Sequence, residues 1–166
     1  MIWYLRGTLF EIVGQEALII SEGTGTGYLV SVWGDIFWQT LGSELAIYIY
    51  HHITEQGQRL FGFRTLAERD IFVTLLSVNG LGPKGALALL WLGDKNLVQA
   101  IAQADEWALT SAPGVGPKLA KKIILELSGK LTLSHDEQGV HITPTADNKE
   151  IVTTLVGMGY DKKSVE

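Results

Sequence analysis

One nine-residue pattern occurs twice in this chain, and the repeat sets the strongest limit on its fold. The first copy spans residues 78–86 (VNGLGPKGA) and the second spans residues 112–120 (APGVGPKLA), 34 positions later. Both copies read Gly-apolar-Gly-Pro-Lys-x-Ala, and apolar residues at helical spacing flank each of them. An internal repeat of this kind indicates one structural unit used twice. We therefore predict two units in which a tight loop joins a pair of helices.

The residue types in each loop are typical of a site that binds phosphate. Two glycines let the backbone turn sharply and approach a ligand closely, and the apolar residue between them can fix the loop by packing between the helices. The proline begins the next helix, whose unpaired amides attract anions, and the lysine adds a charge-assisted contact. Such contacts recognise the nucleic-acid backbone rather than the bases. The residues assigned to DNA binding are Gly80, Leu81, Gly82, Lys84, Gly114, Val115, Gly116 and Lys118.

The charge distribution agrees with a DNA-binding middle region. The whole chain has a formal net charge of −5, which by itself is unusual for a DNA-binding protein. Residues 64–130, however, contain eight basic and six acidic side chains, whereas both flanking regions are acidic. Local charge steers a polyanion more than the total charge does. A loop of this composition could also merely join two helices, but the shared lysine favours binding.

Residues 1–63 have the composition of a small β-domain. Short segments rich in β-branched and aromatic residues alternate with Gly, Glu or Gln turns, and one helical turn is predicted at residues 35–41. Five short strands would leave open edges unless the sheet closed on itself, so we predict an OB-fold β-barrel. The predicted strands are residues 2–10, 16–21, 27–33, 45–54 and 59–63.

From residue 65 to residue 129 the apolar residues recur with the period of a helix, and we predict about five helices. Pro83 and Pro117 stand where helices would begin. Asp94 and Asp105 are expected N-caps, and Gly129 is expected to end the last helix.

The predicted fold class is α+β with several domains. The OB-fold barrel covers residues 1–63, and the all-α tandem repeat domain covers residues 64–130. Residues 131–147 show no sustained periodicity and contain Ser, Gly, Thr, Pro, Asp and Gln, so they are expected to form a flexible linker. Residues 148–166 become apolar again and then stop in mid-pattern, so we expect only the start of a small C-terminal helical domain, too short to bury a core.

These motifs resemble the helix-hairpin-helix family of DNA-binding proteins. The order of the domains further resembles the RuvA family of bacterial Holliday junction branch migration subunits, and the resemblance extends over essentially the whole chain. The segments that carry it are residues 1–7 (MIWYLRG), 60–63 (LFGF), 79–84 (NGLGPK) and 113–118 (PGVGPK).

The resemblance implies a homotetramer, acting as one or two tetramers, that holds a four-way DNA junction in an open, square form. Four-fold symmetry would match four equivalent arms. It implies neither a catalytic site nor a cofactor in this chain. It also implies that the C-terminal domain recruits the hexameric ATPase RuvB, with the junction nuclease RuvC as a further partner, during recombination and DNA repair.

Two more features are implied by the same family. One is an acidic pin at the last hairpin of the barrel, where this chain has Glu55 followed by Gln56. The family has two adjacent acids there, so the charge is halved in this chain. The other is a basic residue one turn past the second loop, which is Lys122 here. We expect Lys122 to contact a second phosphate, although an exposed lysine can equally be only solvated.

Two other functions remain open from the sequence. A DNA glycosylase or nuclease could use the hairpins to bind DNA, with Asp136 as the expected catalytic acid. A general single-strand-binding protein would instead stack bases on aromatic residues of the barrel. Such residues are more often part of a barrel core or a subunit interface, which is the interpretation favoured here. The aromatic residues concerned are Trp3, Tyr4, Trp33, Trp38, Tyr48 and Tyr50.

The remaining signals predict no further chemistry. Residues 23–27 (GTGTG) lack the Gly-Lys-Ser/Thr ending of a nucleotide-binding loop, so we expect a β-turn and no ATP hydrolysis. His51 and His52 should point to opposite faces of a strand, while His135 and His141 fall in the linker, so no metal site is expected. The absence of cysteine excludes disulfides and thiolate ligands. We expect neither a signal peptide nor a membrane span, and therefore a cytoplasmic protein.

Overall fold

The computed structural model describes residues 1–34 and 39–131 of the chain, in which five strands precede five helices. The strands are β1 (Tyr4–Val13), β2 (Glu16–Ser21), β3 (Gly27–Ser31), β4 (Glu44–Thr54) and β5 (Gly57–Phe63). The helices are α1 (Leu66–Leu76), α2 (Pro83–Leu90), α3 (Asp94–Ala102), α4 (Glu106–Thr110) and α5 (Pro117–Leu127). This order confirms the predicted α+β class. The predicted C-terminal helical segment, nearly all of the linker and most of the turn at residues 35–41 lie outside the described residues.

The five strands close into a barrel in the order β1-β2-β3-β5-β4, as predicted for an OB-type fold. Every neighbouring pair is antiparallel except β3 and β5, which run parallel and complete the closure. Successive residues of a strand point to opposite faces, so alternate side chains fill the barrel. The fully buried side chains inside it include Leu9, Ile19, Val30, Ile47 and Ile49.

Only β2 has the predicted bounds, since β4 begins one residue early, β5 begins two residues early, and β1 and β3 differ more. β1 continues to Val13 instead of ending at residue 10, because a bulge just after Leu9 shifts the register and lets the pairing with β2 go on. β3 ends at Ser31, so Trp33 lies beyond the strand. Residues 23–26 lie in the turn between β2 and β3, as expected, and Gly27 is the first residue of β3.

The helices pack around a second core that is continuous with the wall of the barrel. Thr65 begins this region with a capping box, in which its hydroxyl accepts the Glu68 amide and the Glu68 carboxylate accepts the Thr65 amide. Phe61 and Phe63 of β5 pack against Phe72 of α1, with ring centroids 5.3 and 4.9 Å apart. The barrel and the helices are therefore joined by apolar packing as well as by the chain connection between them.

Arg69 of α1 fastens the helices to the barrel. Its side chain is only 5% exposed, and its Nε donates a hydrogen bond to the carbonyl oxygen of Ile49 in β4 at 3.1 Å. The guanidinium carbon lies 3.4 Å from the ring centroid of Trp3, and Nη1 lies 2.8 Å from Asp70. Burying a cation costs free energy unless the cation is paired and hydrogen-bonded. The guanidinium group of Arg69 has a carbonyl oxygen, a carboxylate and an aromatic ring as partners.

The helix ends agree with the prediction except at Asp94. Asp105 caps α4 by accepting the Ala108 amide at 3.0 Å, and Gly129 follows α5 with a positive φ of 82°. Asp94 is not a cap, because Gly93 occupies the N-cap position with φ +83° and Asp94 is the first residue of α3. Within the described residues, no helix combines the length and apolarity required to cross a membrane.

Candidate nucleic-acid interface

The two copies of the repeat occupy equivalent places between helices. The first hairpin (residues 78–86) joins α1 to α2, and the second hairpin (residues 112–120) joins α4 to α5. As predicted, Pro83 and Pro117 are the first residues of α2 and α5. A proline is suited to this position because its fixed φ matches the helix and its missing amide would have no partner there.

The backbones of the two loops have nearly the same geometry. Gly80 has φ +96° and Gly114 has φ +85°, a region that side chains with a Cβ rarely adopt. Gly82 has φ −87° and ψ 175°, and Gly116 has φ −84° and ψ 170°. The sequence repeat is therefore also a structural repeat.

The apolar residue in the middle of each loop is buried and fixes the turn. Leu81 and Val115 are only 5% and 4% exposed and belong to the helical core. Their amides donate to the carbonyl oxygens of Val78 and Ala112, at 3.0 and 3.1 Å. Because amide and side chain are both used inside the protein, Leu81 and Val115 can assist a ligand only by shaping the loop.

The amides at the start of each helix are available to a ligand. Among the described residues, the N–H groups of Gly82, Lys84, Gly116 and Lys118 have no hydrogen-bond acceptor, and all four residues are exposed. Neither α2 nor α5 receives a capping bond from a side chain in the described part of the chain. Unpaired amides at a helix N-terminus create a positive site suited to an anion.

The second glycine of each loop leaves open space in front of these amides. A Cβ atom built on Gly82 or Gly116 would meet none of the described atoms within 4 Å. Both residues also have negative φ, so neither the backbone conformation nor internal packing requires glycine there. The open space is instead suited to close approach by a group from outside the protein.

The lysines of the repeat are free to act on such a group. Lys84 and Lys118 are exposed and form no salt bridge with any described residue. On α5, by contrast, Lys121 and Lys122 each lie within 4 Å of a glutamate carboxylate. An ammonium group without a protein partner can form a charge-assisted hydrogen bond with a phosphate oxygen.

The first loop and the start of the second line one cleft of about 880 Å³, which we name the hairpin cleft. Gly80, Gly82 and Lys84 line it from the first hairpin, Gly114 lines it from the second, and Trp33 lines it from the barrel side. The cleft is thus lined by the predicted binding residues of the first loop and by Gly114, whereas Val115, Gly116 and Lys118 are not among its lining residues.

Lys122 connects the two hairpins. Its Nζ donates a hydrogen bond to the backbone carbonyl oxygen of Asn79 at 2.8 Å and lies 3.7 Å from Glu126. The side chain therefore reaches from the helix of the second hairpin to the loop of the first. The phosphate contact expected of Lys122 stays a prediction, and its ammonium group already has two protein partners.

The proposed acidic pin lies in an exposed turn. Glu55 and Gln56 join β4 to β5, and the hydroxyl of Thr54 donates to the carbonyl oxygen of Gly57 across the turn at 3.1 Å. Glu55 forms no salt bridge with the described residues, so its charge is unneutralised by them. Its role as a pin stays a prediction.

The neighbouring histidines make separate contacts, as expected from their opposite orientation. Nδ1 of His51 accepts the amide of Ile2 at 3.3 Å, and its Nε2 lies 2.8 Å from Oε1 of Gln58. The ring of His52 instead packs against Tyr50. Within the described residues, no three His, Asp or Glu side chains are grouped closely enough to hold a metal ion.

The barrel aromatics divide into two groups. Trp33, Tyr48 and Tyr50 are partly buried against the helical core, in agreement with a structural role. Trp3 and Tyr4 are 51% and 50% exposed, so they do not lie in the barrel core, and the other expected position, a subunit interface, stays a prediction for them. The predicted features that lie outside the described residues are Trp38, His135, Asp136 and His141.

Sequence reasoning missed two contacts that organise this interface. One is the hydrogen bond from Lys122 to Asn79, which joins residues 43 positions apart. The other is the edge-to-face contact of Trp33 with Trp91 at 6.3 Å, which joins the barrel to the residue that follows α2. Neither has a local sequence signal, because both depend on how distant elements pack.

Comparison with known proteins gives matches in both parts of the described chain. Residues 1–62 match the family described as the RuvA N terminal domain, and residues 72–128 match the SAM-like helix-hairpin-helix tandem family. The Holliday junction branch migration complex subunit RuvA of Oceanobacillus iheyensis is 41% identical over 175 aligned positions, covering 100% of this chain and 86% of that protein. The protein of the same name in Halalkalibacterium halodurans is 44% identical, covering 100% of this chain and 87% of its own length. That of Exiguobacterium sibiricum is 37% identical, with 100% and 86% covered.

Proposed function

The chain belongs to the RuvA family of Holliday junction branch migration complex subunits, and we propose that it binds four-way DNA junctions during branch migration. It contacts the phosphate backbone without reading the bases and holds the junction open in recombination and repair. The observation that carries this proposal is the pair of equivalent loops, in each of which helix amides and a neighbouring lysine have no partner among the described residues.

Two equivalent anion sites on one subunit suit a double-stranded arm. Each site offers exposed amides and an ammonium group, so each can hold one phosphate region through contacts that ignore the base sequence. The first site and Gly114 of the second loop line the hairpin cleft, and this proximity supports their acting on one arm rather than on separate molecules.

The proposed assembly is a homotetramer, with one or two tetramers on each junction. Four subunits related by four-fold symmetry present the same surface to each of four arms, which a monomer or dimer would not do. In this arrangement Glu55 would lie near the junction centre, where its charge would repel the strands as they exchange partners. Gln56 adds no charge, so we expect a weaker pin than two adjacent acids would give.

The proposed role is non-catalytic. We propose that the energy for branch migration comes from the hexameric ATPase RuvB, recruited by the C-terminal region, and that the nuclease RuvC resolves the same junction. No cofactor is part of this proposal, and we expect the protein in the cytoplasm with the chromosome.

The proposal is tested by a gel-shift comparison of a four-way junction, a duplex of the same sequence and a single strand, with the mass of the free protein measured by light scattering. We expect the junction to be bound most tightly and the mass to be that of a tetramer. Preference for the single strand would contradict the proposal. Base release or strand cleavage that is lost in an Asp136→Asn variant would instead indicate a repair enzyme.

A further inference from the structure

We propose that Lys122 is a positioning residue, which orients the amide of Gly80 in the first hairpin, rather than a direct contact to phosphate. The inference rests on the proposed function, because the amide it orients is one that would face the DNA backbone. Its starting point is the 2.8 Å hydrogen bond from the Lys122 ammonium group to the carbonyl oxygen of Asn79.

The planarity of the peptide bond links this contact to Gly80. In a trans peptide unit the carbonyl of Asn79 and the amide of Gly80 point in opposite directions. Lys122 of α5 holds this carbonyl, so the amide of Gly80 points away from the Lys122 ammonium group. Among the described residues this amide has no acceptor, and Gly80 is exposed. Gly80 has a φ of +96°, and glycine has a wider range of accessible backbone conformations than other residues. A contact from outside the loop can therefore restrict the conformation of the backbone at Gly80.

The second hairpin has a different restraint at the equivalent place. The residue equivalent to Asn79, 34 positions later, is Pro113, whose ring fixes its own φ. The residue equivalent to Lys122, 34 positions earlier, is Ala88, which has no donor to offer. One loop is therefore restrained by a proline within it, and the other by an ammonium group from the neighbouring hairpin.

The charge environment of Lys122 also favours positioning over binding. Its ammonium group lies 3.7 Å from the carboxylate of Glu126, so part of its charge is neutralised within the protein. The lysines of the two loops, Lys84 and Lys118, have no such partner among the described residues. The positive charges of Lys84 and Lys118 would therefore attract a phosphate near the loops more strongly than the charge of Lys122, which Glu126 partly neutralises.

The inference is tested in the full-length chain with four variants: Lys122→Met, Lys121→Met, Lys118→Met and the double change Lys122→Met with Asn79→Pro. Lys121 is the matched control, because it lies beside Lys122 on α5 and pairs with Glu106 but forms no hydrogen bond or salt bridge with the described residues of the first hairpin. Junction affinity is measured over a series of salt concentrations, and thermal unfolding confirms that each variant is folded.

We expect Lys122→Met to weaken junction binding by about tenfold, the effect of losing one hydrogen bond to a charged group. The slope of log K against log salt should stay at the wild-type value, because no phosphate contact is lost. Lys118→Met should make that negative slope shallower by about 0.9 for each duplex phosphate contact removed. Lys121→Met should bind almost as the wild type does. Asn79→Pro should restore most of the affinity lost in Lys122→Met, since it copies the restraint of the second hairpin.

The inference would be overturned if the salt dependence became shallower in Lys122→Met as it does in Lys118→Met and if Asn79→Pro did not restore the affinity. That result would make Lys122 a phosphate contact. Wild-type affinity in Lys122→Met would overturn it as well. If the double variant fails to fold, Lys122→Arg takes its place, because it keeps a donor for the Asn79 carbonyl and should retain both affinity and slope.

A second readout needs no DNA and separates this inference from the proposed function. In the free protein, ¹⁵N relaxation should show the Gly80 amide to be more mobile in Lys122→Met than in the wild type, and the Gly114 amide to be unchanged. Equal mobility of Gly80 in both proteins would reject the positioning role even if junction binding were confirmed. A protein with no preference for junctions would refute the proposed function, and the relaxation result would still decide the role of Lys122.

Discussion

Lys84 and Lys118 are the side chains on which binding should depend most. Each stands beside unpaired helix amides and forms no salt bridge with the described residues. Lys84→Glu or Lys118→Glu would place a carboxylate against phosphate, so we expect either change to weaken junction binding by more than about tenfold. The fold should be unaffected because both side chains are exposed. Junction affinity at moderate salt is the measurement, and a wild-type value for either variant would count against a binding role.

Gly116 provides a more selective probe of the same surface. A methyl group there would meet no described atom within 4 Å, and the backbone φ of −84° suits alanine. Gly116→Ala should therefore keep the free energy of unfolding within about 1 kcal/mol of the wild type. Junction affinity should nevertheless fall severalfold, because the methyl group occupies the space in front of the amides. A variant that binds as well as the wild type would show that no backbone approaches this glycine.

At these positions the sequence was sufficient to predict which residues form the loops, but it did not predict which atoms they contact. The glycines, prolines and lysines of the loops could be assigned from the repeat, since each has a local reason to be there. That the amides of Leu81 and Val115 are consumed within the turn follows only from the three-dimensional path of the loop. The contact between Lys122 and Asn79 could not be predicted because it depends on the packing of two hairpins.

The join between the barrel and α1 should depend on Arg69. The side chain is 5% exposed and donates to the carbonyl oxygen of Ile49 while lying over the ring of Trp3. Arg69→Met would remove both interactions, so we expect the free energy of unfolding to fall by about 2 kcal/mol. Urea unfolding measures this. The control is Arg6→Met, which removes exposed ion pairs with Glu22 and Glu44 and should cost less than about 1 kcal/mol. Equal losses in the two variants would contradict the special role of Arg69.

The start of α3 should make stability depend on pH. Asp94 and Glu68 line a cleft of about 590 Å³ between the barrel and the helices, and burial raises the pKa of both carboxyls. The negative charge of Asp94 further raises the pKa of Glu68. A carboxyl with a raised pKa favours the folded state when protonated, and that contribution disappears as pH rises through the folded-state pKa.

Asp94→Asn should remove this dependence at one of the two sites. The wild type loses stability as pH rises from about 4 to about 7, so the free energy of unfolding of the variant should increase relative to that of the wild type over this interval. Thermal or urea unfolding of both proteins across that interval provides the measurement. A difference between the two proteins that stays constant with pH, or changes in the opposite direction, would show that burial does not disfavour the Asp94 carboxylate.

The secondary structure was predictable to the extent that its determinants are local. The prolines that begin α2 and α5 and the cap at Asp105 were found because one or two residues define them. Asp94 was misassigned because Asp is common both as a cap and in the first helical turn, and only the φ of +83° at Gly93 separates the two cases. The length of β1 depends on a bulge near Leu9, which has no glycine or proline to mark it.

For the whole molecule, the order of strands and helices along the chain could be predicted from the sequence, but the pairing of distant strands and the contacts between barrel and helices could not. A run of strands followed by a run of periodic helices indicates α+β, and closure of the barrel follows from the need to remove open edges. The parallel pairing of β3 with β5, which achieves the closure, has no signal in either strand alone. The contacts of Arg69 with Trp3 and of Trp33 with Trp91, which join the barrel to the helices, likewise appear only in the folded chain.

The interpretation of the chain as a sequence-indifferent junction-binding protein is best examined by a salt titration of the full-length protein. Two four-way junctions with unrelated arm sequences are compared over the same series of salt concentrations. If eight hairpins of a tetramer each hold one duplex phosphate, log K should fall with log salt at a slope of roughly −7 for both junctions. A flat titration, or affinities that differ strongly between the two arm sequences, would contradict backbone binding by the paired hairpins.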